Sequence, residues 1–123
     1  MKIVEVAVVA AVLAAPAFAA SAAPDPISDE QFIAANRCLA LMDSKALGPV
    51  NDYAMKALIK AQTHGRDAMV WDLGDRAYDD AADAANRASG HARSILIAER
   101  DGRCMALLPP TQTTAAPSAP HND

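Results

Sequence analysis

The sequence predicts an all-α fold: a small four-helix bundle, with a three-helix variant as the alternative, tied by one disulfide. Three observations carry this reading. Alanine is abundant, β-branched residues are few and alternating apolar runs are missing, a composition that favours helices over strands. Serine, glycine and proline fall at the ends of segments whose apolar residues recur at helical spacing. Two cysteines, Cys38 and Cys104, lie in a stretch short enough to need a staple.

The chain divides into four parts. It opens with Lys2, runs apolar from Val6 to Ala15 and reaches small-residue exits at Ala17-Phe18-Ala19 and Ala20-Ser21-Ala22. This pattern marks residues 1–19 as a secretory signal peptide, cleaved between 19 and 23. The apolar run is shorter than the about 20 residues a membrane-spanning helix needs. Glu5 is an awkward residue there, and an uncleaved anchor is the alternative. Residues 20–26 read as a flexible leader and 27–108 as the helical domain. Residues 109–123, "PPTQTTAAPSAPHND", hold four prolines, three threonines and no large apolar side chain. Such a segment buries too little to offset the entropy of ordering it, so it reads as a disordered tail.

Within the domain, "SDEQ" announces the first helix: Ser28 is placed to cap and Gln31 sits three residues on, as in a capping box. Phe32, Ala35, Leu39 and Met42 form its stripe, with Cys38 at the edge. Gly48 and Pro49 stop it. A second helix is expected from about Asn51 to His64, with Val50, Ala54, Ala57, Leu58 and Ala61 on its apolar face and Gly65 behind it. The third runs from Asp67 to about Ala88, placing Leu73, Ala77, Ala81, Ala84 and Ala88 on one side. Extending that wheel would put Glu99 between Ile95 and Leu96, so a kink near "ASGHA" is expected, with Ser89 as the new cap. The fourth helix then covers Ser89 to about Arg100, with continuation through Cys104 to Leu107 as the alternative; that continuation crosses Gly102, which in mid-helix costs about 1 kcal/mol relative to alanine.

The cysteines sit in an echo, "RCLAL" at 37–41 and "RCMAL" at 103–107. The flanks do not match, so duplication is not supported. Covalent haem attachment needs neighbouring cysteines followed by histidine, and zinc would have to recruit His64 and His91 at an unfamiliar spacing. An exported chain with two cysteines instead points to a bond between Cys38 and Cys104, worth about 4 kcal/mol on the chain-entropy model; two buried free thiols are the alternative. In an up-down bundle the first and fourth helices are antiparallel, and both cysteines lie in C-terminal halves. The sulfurs therefore meet only if the helices are staggered or the last segment folds back, since bridged Cα atoms lie within about 7 Å.

Asp72, Asp75, Asp79 and Asp83 line the other side of the third helix, interleaved with Arg76 and Arg87. A calcium loop needs oxygens on a turn around glycine, and this stretch reads as helix. The row is a solvated face or a docking surface for a basic partner, and Trp71 and Tyr78 at its edge are packing residues or interface anchors. Met42 and His91 could hold haem at one end of a bundle, though nothing beyond that geometry supports it. Ser89, Ser94 and His91 lack any nucleophile signature, and no glycine-rich phosphate loop occurs. A net charge of −4 without a basic patch argues against nucleic acid and anionic membranes. The expectation is a periplasmic or secreted, non-enzymatic protein, without cofactor or metal, that binds another envelope or secreted protein. No stable membrane insertion is expected after signal cleavage. The alternatives are a stress-protective or toxin-immunity protein, and a haem- or metal-binding bundle.

Overall fold

A computed structural model of the protein describes residues 25–110. The expected signal peptide, the first part of the expected leader and most of the expected tail lie outside the described residues. Helices make up all the regular structure among them, with no strand: α1 (Asp29–Asp43), α2 (Tyr53–Ala61), α3 (Ala68–Arg87), α4 (Gly90–Glu99) and a terminal turn α5 (Met105–Leu107). A π-helical turn, Arg100–Cys104, joins α4 to α5 without a break.

The capping box forms. Gln31 N donates to Ser28 Oγ at 3.1 Å, and Ser28 N donates to Gln31 Oε1 at 2.9 Å. Asp67 likewise caps α3, its carboxylate accepting from Met69 N at 2.8 Å. The expected corner between α3 and α4 is present, with Ser89 extended and Gly90 at φ +54°.

α1 and α3 lie side by side and run the same way. Phe32 meets Trp71 early in both helices, Gly74 faces Asn36, and Tyr78 and Ala82 share a hollow with Ala40 and Asp43. α2 runs back along α1, from Asp52 near Asp43 to Gln62 near Ile27, and α4 with the π turn descends toward mid-α1, giving an up-down-up-down order. At Gly74 the two helices approach tightly: a Cβ added there would stand 3.0 Å from Asn36 Nδ2. The core joins Ala35, Leu41 and Met42 of α1, Met55 and Leu58 of α2, Ala81 and Ala85 of α3, Leu96 and the two cysteines.

Two apolar faces are turned relative to expectation. Val50, which precedes α2, and Ala54, Ala57 and Ala61 within it are exposed, and Leu58 is buried with Met55. The larger side chains take the core because each removes more apolar area from water than an alanine. In α3, Leu73 and Ala84 are exposed and Ala77 and Ala88 half-buried, while Gly74, Ala81 and Ala85 face α1. Phe32 and Asn36 project into α3, and only the glycine leaves room for them.

The stagger that the disulfide needs comes from helix length. α3 has 20 residues against 15 in α1 and overshoots its end, so Asn86 lies beside Ser44 and Lys45. α4 therefore starts beyond α1, with Arg93 Nε donating to the Ala46 carbonyl at 3.1 Å. Its descent brings Cys104 to mid-α1, where it bonds Cys38 with the Cα atoms 5.4 Å apart. Leu96, Arg100 and Cys104 are all buried at four-residue spacing. That spacing drifts by about 40° per step on an α-helix, and the wider π turn absorbs the drift. Glu99, out of phase with the apolar side, pairs with Arg37 through two bonds of 2.6 and 2.9 Å.

Candidate functional site

The face of α3 turned away from α1 carries Asp72, Asp75, Asp79 and Asp83, all exposed. The helix neutralises two of them: Arg76 lies 3.0 Å from Asp72 and Arg87 3.1 Å from Asp83, both at i,i+4 spacing. Such exposed pairs are worth at most about 1 kcal/mol. Asp75 and Asp79 form no ion pair among the described residues.

The two aromatics at the edge of this row differ. Trp71 is 39% exposed, and its ring meets Phe32 edge-on with centroids 6.0 Å apart. Tyr78 is half-buried in the seam between α1 and α3. Burial there raises its hydroxyl pKa, and the nearby Asp43 carboxylate adds to the shift. Of the expected pair, Trp71 offers the open ring surface.

A second acidic group was invisible along the chain. Asp43 ends α1 and Asp52 begins α2, and they share one ammonium: Lys56 Nζ is 2.7 Å from Asp52 and 3.9 Å from Asp43. The hydrogen bond between the two carboxyls raises the pKa of Asp43, with desolvation adding to it. The same bond and Lys56 lower that of Asp52. Only the Asp52–Lys56 spacing of four was legible; the Asp43 contact depends on the turn between the helices.

α3 and α4 diverge from their corner and leave an open apolar hollow of about 410 Å³, lined by Ala84, Arg87, Ala88, Ala92, Ile95 and Leu96. Ile95 is exposed there. Of the residues weighed for metal or haem, Met42 is buried in the core, whereas His64 and His91 are exposed. Among the described residues no three His, Cys, Asp or Glu side chains converge in a metal-holding arrangement. No helix described is long and apolar enough to cross a membrane.

The chain matches no known protein-family model, no curated protein and no solved structure.

Proposed function

We propose that this is an exported, non-enzymatic protein that binds another envelope or secreted protein through the outer face of α3. The reading rests on one observation: Asp75 and Asp79 stand exposed without ion partners among the described residues, beside the open ring of Trp71. Charge complementarity would guide a basic partner to this face, and an aromatic ring is a frequent anchor within an interface. The signal-like opening of the sequence and the disulfide both favour an oxidising compartment.

The test is capture from envelope extract with the purified protein as bait, alongside a variant with Asp72, Asp75, Asp79 and Asp83 changed to lysine. One partner retained by the wild type and lost by the folded variant is the expected result. The same partners with both baits would sink the reading. The hollow beside Ile95 favours a second reading, protection of unfolded clients during acid or oxidative stress. It predicts that the protein suppresses aggregation of a model client and that Ile95→Asp abolishes the effect.

A further inference from the structure

We infer that Gln62 and Arg66 form a seat for an extended peptide segment, occupied in the resting protein by the chain's own residues 25–27. Gln62 is 6% exposed, and its side-chain amide spends both ends on main chain: Nε2 donates to the Asp25 carbonyl and Oε1 accepts from Ile27 N, each at 3.1 Å. A carbonyl and an amide two residues apart point the same way along an extended chain. Arg66 Nη2 adds a bond to the Ile27 carbonyl at 2.8 Å. Three backbone groups of the segment are thus read by side chains, and none of its own side chains is hydrogen-bonded, so the contact selects an extended backbone and not a particular sequence.

The seat is held in place by residues other than its occupant. Arg66 Nε donates to the Gln62 carbonyl at 2.7 Å, Nη1 meets Asp29 at 2.6 Å, and the guanidinium lies 4.6 Å above the Phe32 ring. A hollow of about 530 Å³ continues alongside, bounded by Pro26, Ile27, His64 and Asp67. The segment itself is short, Asp25 and Pro26 are exposed, and Ile27 is half-buried. It opens without unfolding the bundle, and the vacated seat accepts the backbone of another extended peptide. This site shares no residue with the α3 face, and neither reading depends on the other.

Amide hydrogen exchange on the full chain tests the opening. The Ile27 amide is expected to exchange at least ~100-fold faster than that of Leu41, because a short strap opens locally while a core helix opens globally. Equal rates would place residues 25–27 in the cooperative core and overturn the proposal. Occupancy is tested with Ile27→Pro in the full chain, which removes the donated N–H, leaves Gln62 Oε1 open and weakens the hold on the strap. A peptide of residues 23–28 titrated into this folded variant should move the Gln62 side-chain amide resonances saturably, with Kd near the millimolar range expected for a few hydrogen bonds. The same peptide methylated at the isoleucine nitrogen should not bind. A folded variant with no saturable shift, or with equal binding of both peptides, would refute the seat.

Discussion

Arg66 and the Asp43–Asp52 pair show how single residues set the behaviour of this fold. The Arg66 side chain is 9% exposed and ties α1, the entering chain and the end of α2 together. Arg66→Met keeps the bulk but leaves carbonyls and Asp29 without their donor. It should lower unfolding free energy by about 2–4 kcal/mol, since bonds to charged groups are worth about 1.5–3 each, which urea denaturation would measure. At the acidic corner the two carboxylates act in opposite directions. The raised pKa of Asp43 contributes stability that is present below its unfolded value and lost as pH rises through the folded one. The lowered pKa of Asp52 contributes stability present above its unfolded value and lost as pH falls through the folded one. The corner is therefore most stabilising between the two folded values, around the ordinary aspartate pKa of about 4. Asp43→Asn should remove the part of the stability gain between neutral pH and that value that arises from Asp43. An unchanged difference in urea midpoint between pH 7 and pH 4 would contradict this.

At the scale of elements, the helix starts were legible, the C-terminal ends and the faces only partly so. Ser28 and Asp67 cap through neighbours within a few residues, and local chemistry decides them; α1 instead ends at Asp43, ahead of Gly48 and Pro49, and α2 at Ala61, short of His64. Faces depend on what packs opposite. Leu73 fits the apolar wheel of α3 as well as Gly74 does not, yet Gly74 faces α1 because Phe32 and Asn36 occupy that space. Gly74→Leu should therefore destabilise by at least about 2 kcal/mol through overpacking, read as a lower thermal midpoint. Gly102 gives the opposite outcome. A Cβ there meets nothing within 4 Å, and alanine relieves the entropy that glycine loses in a helix. Gly102→Ala should raise stability by up to about 1 kcal/mol; a lower midpoint would mean that the π turn itself requires glycine. The outer acidic row of α3 was legible because its spacing is purely helical, whereas the Asp43–Asp52 corner and the Gln62–Arg66 seat join residues distant in sequence.

For the molecule as a whole, the disulfide is the main long-range tie between α1 and the end of the chain. Replacing both cysteines by serine should cost about 4 kcal/mol, from the loop entropy of a 66-residue separation. Both sulfurs are buried, so a reductant reaches them only through opened states. In the native protein, thiol-driven reduction should follow the opening rate and accelerate sharply in urea; fast reduction without denaturant would show that α4 detaches on its own. The residue pattern by itself determined the helical class, the N-caps of α1 and α3, the corner before α4, the partnership of the two cysteines and the acidic row, because composition, spacing and an even cysteine count act locally or by elimination. The tertiary structure alone decided how those cysteines meet. α3 is longer than α1, so α4 starts beyond the end of α1, and the π turn keeps Leu96, Arg100 and Cys104 facing inward on the way down. Helix lengths and facing neighbours set that register, and neither can be read from any one segment.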